Sequence, residues 1–320
     1  MKSVLKRLVA IFFPSMVCII FVAMAIVYDE YTNVHSDNGS IISYQTQKIT
    51  RPENANTQTI FLGDSSCGNS IDAELFTRLS QQATQNLCLT GSFGIASNMN
   101  LMRRAIKSYP NLKNAVFVTT PDMWTKSFPN EGNFSSGIQA LGYVPYFDRM
   151  DLGYVLQRLL NLKIFWRALN APKSSLGTSG MEYDYLKQGP KRFSNGGLPA
   201  PTPNLKHIGK ISRDRVAELK ALNRLCCELK GQVKCLLMPG PGIDTVVNNS
   251  YDFINHLRKT FKQHGSCVVF VDRFLSYPHE YMGDNSDHVD PAWKAQSTED
   301  YFKSLKLLLA GTSENSLNGF

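Results

Sequence analysis

The sequence predicts an α/β protein on a doubly wound parallel sheet. Three observations predict it. Short, unbroken apolar runs alternate with segments of helical spacing between residues 57 and 310. Those runs are apolar at consecutive positions, as expected of strands covered on both faces. Each early run also stops at a Gly or Pro, where a strand turns toward a helix.

The elements follow in order. Thr59-Ile60-Phe61-Leu62 is the first strand, and it runs into Gly63-Asp64-Ser65. Ile71 to Gln82 has helical spacing through Ile71, Leu75 and Leu79. Asn86-Leu87-Cys88-Leu89 is the second strand, closed by Gly91. Asn98 to Tyr109 is a helix with Leu101, Met102, Ala105 and Ile106 on one face, stopped by Pro110. Ala115-Val116-Phe117-Val118 is the third strand. The pattern resumes with a helix over Arg213 to Leu229, a strand over Val233 to Met238 and a helix over Tyr251 to His264. A strand over Cys267 to Val271 and a helix over Thr298 to Leu309 complete it, and 311–320 is a polar tail.

Between strand three and that second series, residues 122–212 break the alternation and read as an insertion. Asp151 to Asn170 is Leu-rich and reads as helical. Ala171 to His207 is rich in Pro and Gly and reads as a long loop, and long loops in compact domains tend to carry function.

The amino terminus carries Lys2, Lys6 and Arg7, then 21 residues from Leu8 to Tyr28 without a charge. Such a run crosses a bilayer as one helix, with its basic flank in the cytoplasm. Ala23-Met24-Ala25 offers the rival reading, a signal peptide cleaved after Ala25. The apolar run continues past Ala25, which favours the retained anchor. Either way the rest of the chain is exported. Residues 1–28 are thus the anchor, 29–56 a polar stalk and 57–310 the domain.

Six cysteines follow the anchor: Cys67, Cys88, Cys226, Cys227, Cys235 and Cys267. An even number in an oxidising space permits disulfides, and six cysteines allow 15 pairings. Buried free thiols are the plain alternative. No Cys-x-x-Cys or Cys/His spacing calls for a metal, and no motif calls for a cofactor.

The chain has 34 Lys+Arg against 26 Asp+Glu, a formal charge of +8. That suits an anionic lipid or glycan surface. Nucleic acid is set aside, because an exported domain rarely meets it and no basic run is interleaved with aromatics. An apolar content of 43% excludes a disordered chain, and the single spanning segment excludes a polytopic one.

Open parallel sheets place their sites at the carboxyl ends of strands. Ser65 lies there, at a strand-to-helix turn that exposes its hydroxyl and its backbone N–H. Gly-Asp-Ser also reads as a plain turn and helix cap. Gly91-Ser92-Phe93-Gly94 follows the second strand, where glycines let backbone N–H groups approach a ligand. The third feature is Asp284-Asn285-Ser286-Asp287-His288-Val289-Asp290. A nucleophilic serine needs a base, and the base needs an orienting acceptor. Of six histidines, His288 has the carboxylate-rich setting next to the last helix, with His279 its nearest rival.

With these residues placed, the chain resembles the SGNH (GDSL-like) hydrolase superfamily. It is most similar to the membrane-anchored branch that handles polysaccharide O-acetylation and teichoic-acid D-alanylation. The resemblance implies a flavodoxin-like three-layer sandwich. It implies Ser65 as nucleophile, His288 as base, and the Ser65 and Gly91 N–H groups as oxyanion donors.

The family's orienting Asp lies three residues before the His, where this chain has Asn285. Asp284 is favoured here, since in a helical turn it shares a face with that position, whereas Asp287 points away. Asn285 is the further alternative. The family's Gly-x-Asn-Asp block is replaced by Thr119-Thr120-Pro121-Asp122, so a third oxyanion donor is unassigned, Asn98 or Thr120 being the nearest candidates.

The implied activity is serine-dependent O-acyl transfer, acetyl first among the acyl groups, to an envelope polysaccharide acceptor outside the cytoplasm. The implied donor arrives from a membrane partner. Trp124, Trp166, Tyr183, Tyr185 and Phe193 are candidates for a glycan floor. Water as acceptor makes the same site an esterase. A non-catalytic glycan-binding or assembly subunit is the reading from another class.

Overall fold

In the computed structural model, residues 12–13, 37–89, 94–125, 211–264, 267–283 and 286–310 are described. Helix α1 (Asp37–Thr50) precedes strand β1 (Thr59–Gly63). Helices α2 (Ser65–Ser70) and α3 (Ala73–Ser80) lead to β2 (Thr84–Asn86), then α4 (Gly94–Ser108) and β3 (Asn114–Thr119). Helix α5 (Arg213–Glu228), β4 (Lys234–Pro239), the short β5 (Gly242–Ile243) and α6 (Asp244–His264) follow. Strands β6 (Val268–Phe270) and β7 (Ser276–Tyr277) precede the last helix, α7 (Lys294–Leu309).

Five strands form one parallel sheet in the order β2-β1-β3-β4-β6. Successive side chains of a strand point to opposite faces, and the two cores follow that alternation. Ile60, Leu62, Ala115, Phe117, Cys235 and Leu237 join one core, with α4, α5 and α6 packed on it. Phe61, Val116, Val118, Leu236 and Met238 join the other, beneath α3 and α7. Phe76 of α3 is fully buried there, edge-on to Phe61. Its burial stabilises that contact by about 2–3 kcal/mol. The sequence expectation of a parallel sheet with helices on both sides is therefore met.

The strand order reverses direction between β1 and β3. The crevice above that point is where open α/β sheets hold ligands. Gly63 closes β1 at this place with φ +150°, and a Cβ there would lie 1.8 Å from the Val118 carbonyl oxygen. The obstacle is backbone of the adjoining strand, so it cannot rotate away. Gly63→Ala is expected to cost about 3 kcal/mol or more of folding free energy, read by chemical denaturation. A loss below about 1 kcal/mol would mean the two strand ends separate freely.

Several boundaries differ from the sequence expectation. The helix predicted over Ile71 to Gln82 is α3, which starts at Ala73 because Asp72 caps it at Glu74 and Leu75, and the short helix α2 before it is not among the predicted elements. Helix α6 begins at Asp244, seven residues before the predicted Tyr251. Its first turns, Thr-Val-Val-Asn-Asn-Ser, are weak helix formers and read as loop. Strand β2 is assigned earlier than predicted, yet Leu87 N and Leu89 N still donate to Phe61 O and Gly63 O at 2.8 and 2.9 Å.

The segment read as a stalk is corrected in part: Asp37–Thr50 is helix α1, docked on the domain. Ile49 sits in the first core. Gln45 Nε2 donates to Cys88 O at 2.8 Å and Lys48 Nζ to Asn86 O at 3.0 Å. β2 is an edge strand, and these bonds cover its unpaired carbonyls. A mostly polar helix docks here because its buried polar groups find acceptors on that edge.

The two ends of the predicted insertion meet, Ser212 N donating to Trp124 O at 3.0 Å. Its interior, 126–210, lies outside the described residues, as do Trp166, Tyr183, Tyr185 and Phe193. Trp124 is not a glycan floor. It is fully buried, donates from Nε1 to Thr119 Oγ1 and packs edge-on against Phe261.

The six cysteines pair as Cys67–Cys88, Cys226–Cys235 and Cys227–Cys267. Among the described residues, no helix is long and apolar enough to cross a membrane. Of the predicted anchor only residues 12–13 are described, both helical and exposed.

Candidate active site

The site starts from Asp64, the residue between β1 and α2. Its carboxylate is buried and takes four hydrogen bonds. Oδ1 accepts from Ser66 N and Ser66 Oγ. Oδ2 accepts from Thr120 N at 2.7 Å and Thr120 Oγ1 at 2.9 Å. One side chain thus caps α2 and ties the end of β1 to the end of β3. Ser66, although adjacent to Ser65, is fully buried and donates to this carboxylate. Gly240, at the end of β4, packs close by, where a Cβ would meet Ser66 Oγ at 2.5 Å.

Ser65 is the first residue of α2 and only partly covered. An N–H at that position has no acceptor within its own helix. Its hydroxyl lies 2.8 Å from His288 Nε2, a contact between residues 223 apart in sequence. The His288 side chain is 13% exposed, so one edge of the ring reaches solvent.

His288 is held by its own loop. Met282 and Val289 form an antiparallel bridge. Gly283 N donates to His288 O and Asp290 N to Tyr281 O, each at 2.8 Å. Ile243 N, on β5, donates to Ser286 O at 3.1 Å. The small β5–β7 pair, which the sequence reading lacks, therefore anchors the loop to the domain. The start of α7 then grips the helices around Ser65: Lys294 Nζ donates to Gly68 O at 3.1 Å, and Asp72 N to Thr298 Oγ1 at 2.9 Å. Tyr281 stacks on Trp293 at 3.6 Å between ring centroids, stiffening the base of the loop.

Asp284, Asn285 and Gly91 lie outside the described residues. Asp287 Oδ1 is 3.8 Å from His288 Nε2, the nitrogen that faces Ser65. Asn98 and Thr120, the candidate third donors, belong to the scaffold. Asn98 Oδ1 accepts from Gly63 N at 2.9 Å and Nδ2 donates to Gly94 O. Thr120 donates twice to Asp64, as above. His279 is exposed in a short 3-10 turn.

Behind α4 lies a buried ion pair that the sequence did not single out. Arg215 and Glu218 of α5 bond to each other, both essentially without solvent contact. Glu218 Oε1 also accepts from Ala96 N at 3.1 Å, capping α4 where the chain returns from residues 90–93. Burial pushes the Glu218 carboxyl above its usual range, and Arg215 opposes that shift. Burial likewise raises the Tyr301 phenol, aided by Tyr277 and Asp64, so it is neutral at physiological pH. A spacing of three residues within an amphipathic helix gave no signal that both charges face inward.

The chain matches no family model and no curated protein. Its chemistry is therefore read from the geometry. Among the described residues, no three or more His, Cys, Asp or Glu side chains gather as metal ligands. The Ser65–His288 pair is arranged as a hydroxyl with a base at hydrogen-bond distance, on the carboxyl edge of the sheet.

Proposed function

We propose that the chain is a serine acyltransferase of the SGNH type, held at the membrane by residues 1–28 with its domain outside the cytoplasm. It moves an acyl group, acetyl first among the candidates, to a hydroxyl of an envelope polysaccharide. The observation that carries this reading is the 2.8 Å contact between Ser65 Oγ and His288 Nε2. The sheet order, with Ser65 at the reversal point, supports the SGNH-type fold. Three disulfides among the six cysteines of the domain support export to an oxidising space.

In this reading His288 accepts the Ser65 proton as Oγ attacks the acyl carbonyl. The oxyanion rests on the Ser65 N–H and, by resemblance, on that of Gly91. The leaving group takes the proton from His288, and an acyl-serine results. A glycan hydroxyl then attacks, its proton passes to His288, and Ser65 Oγ leaves and takes it back. Asp284 is the proposed orienter of the ring.

The test is labelling with a fluorophosphonate, which traps activated serines. The wild-type chain is expected to form a covalent adduct at residue 65, located by peptide mass spectrometry, and Ser65→Ala to form none. A folded wild type that takes no label would overturn the catalytic reading in favour of a binding or assembly subunit. Acyl release to water that is unchanged by added polysaccharide would assign an esterase instead.

A further inference from the structure

Lys294 is the first residue of α7 and only 6% exposed. Lysine is rarely buried to that degree without a partner. The start of a helix is also an unfavourable place for a cation, because the helix dipole is positive there. The side chain reaches α2 instead, where Nζ donates to Gly68 O at 3.1 Å. Gly68 lies one turn after Ser65 in the same short helix.

Helix α2 needs such a partner. Its 6 residues make fewer than two turns, too few to be stable alone. The carbonyls of its last four residues, Gly68 among them, have no donor within the helix. Asp64 holds the first turn, accepting from Ser66 N and Ser66 Oγ. At the other end Asn86 Nδ2 reaches Gly68 O at 3.4 Å and Ile71 O at 2.9 Å. Thr298 Oγ1 lies 3.4 Å from Ser70 O and accepts from Asp72 N at 2.9 Å, at and past the helix end. Of these two contacts from α7, that of Lys294 lands closer to Ser65 along the chain.

From Lys294 the chain runs back to His288 through residues 289–293, which are fastened along their length. Val289 bridges Met282, and Asp290 N donates to Tyr281 O. Asp290 Oδ1 caps the 3-10 turn Pro291–Trp293 at Ala292 N, and Trp293 N donates to Asp290 O. Ser65, Gly68, Lys294 and His288 therefore close a ring. Backbone joins Ser65 to Gly68 and Lys294 to His288, the 3.1 Å bond joins Gly68 to Lys294, and the 2.8 Å contact joins His288 to Ser65. We infer that Lys294 is a positioning residue whose bond to Gly68 O sets the Ser65 hydroxyl against His288. The inference rests on the serine-nucleophile reading above. A nucleophile and a base carried on separate segments need placement within a fraction of an ångström, and a 1 Å error costs about 100-fold in rate.

The experiment compares Lys294→Met with Thr298→Val in the full chain by fluorophosphonate kinetics and thermal melting. In the trapping step Ser65 Oγ bonds phosphorus, fluoride leaves and the proton passes to His288. Met is close to Lys in length and volume but cannot donate. Gly68 O keeps Asn86 Nδ2 and a buried cation is removed, so Tm is expected to stay within about 3 °C of wild type. The maximal inactivation rate is expected to fall about 10- to 100-fold, with the half-saturating probe concentration within about twofold of wild type. Val has the shape of Thr but takes the Oγ1 acceptor from Asp72 N. Thr298→Val is therefore expected to lower Tm by more than Lys294→Met does and to keep the wild-type rate.

A fall of less than about fivefold in a folded Lys294→Met chain would overturn the inference, as would an equal fall in both variants. Should Lys294→Met fail to fold, Lys294→Gln keeps a polar end that is one bond too short to hold Gly68 O, and the same fall in rate is expected. Failure of both to fold would assign Lys294 to stability and also overturn the inference. A wild type that takes no label would instead bring down the serine reading itself, and the two failures are distinguishable in one experiment.

Discussion

Replacing His288 with Gln is expected to slow phosphonylation of Ser65 by about 10⁴-fold, the scale of losing the base in a serine–histidine pair. Gln fills much the same volume and still donates a hydrogen bond, but its amide takes no proton. Ser65 would then attack as a neutral hydroxyl. The loop carrying residue 288 is held by backbone bonds of Gly283, Asp290 and Ile243. The melting temperature is therefore expected to stay within about 3 °C of wild type, as for a partly exposed side chain on a loop fastened by its backbone. The measurement is the second-order labelling rate alongside a thermal melt. A fall of less than tenfold in a folded variant would show that the 2.8 Å contact is not a base acting on its nucleophile.

Asp64→Asn is expected to give the largest stability loss near the site, about 3–5 kcal/mol by chemical denaturation. The Asp64 carboxylate accepts two backbone N–H bonds, from Ser66 on one oxygen and Thr120 on the other. An amide has one oxygen and one NH₂, so either orientation sets a donor against a backbone N–H that cannot turn away. The Ser66 and Thr120 hydroxyls can rotate to compensate, but the two N–H groups cannot. Hydrogen bonds to a charged group contribute about 1.5–3 kcal/mol each, and an unsatisfied buried donor costs about 1–3 kcal/mol more. The helix cap at α2 weakens with it, so labelling of the folded fraction is expected to fall as well. A loss under 1 kcal/mol would mean that Asp64 does not hold β1 and β3 together.

Much of the fold was legible because strand burial on both faces leaves a mark on consecutive residues. Ile60-Phe61-Leu62 and Val116-Phe117-Val118 read as strands for the reason that they are strands: each neighbour serves a different core. Helix α1 was not legible, because its inward residues include Gln45 and Lys48, polar groups that are buried only where an edge strand offers carbonyls. The same holds for Arg215 and Glu218, whose pairing satisfies charges that sequence statistics place outside.

For the site, the local chemistry was legible and the partnership was not. Gly63-Asp64-Ser65 announces a turn after a strand, since Gly, Asp and Ser each favour that backbone for a local reason. That Gly63 must be glycine is decided elsewhere, by the Val118 carbonyl on the adjoining strand. His288 was preferred among six histidines for its acidic surroundings, yet its approach to Ser65 depends on a bridge between Met282 and Val289 and on a strand pair too short to have a period. The cysteine count permitted 15 pairings, and only the folded sheet brings Cys67 beside Cys88. What the sequence by itself determined is what neighbours along the chain impose: burial period, turn and cap. Tertiary structure alone decided which distant groups meet, because a contact across 223 residues is set by how strands order in the sheet and leaves no local trace.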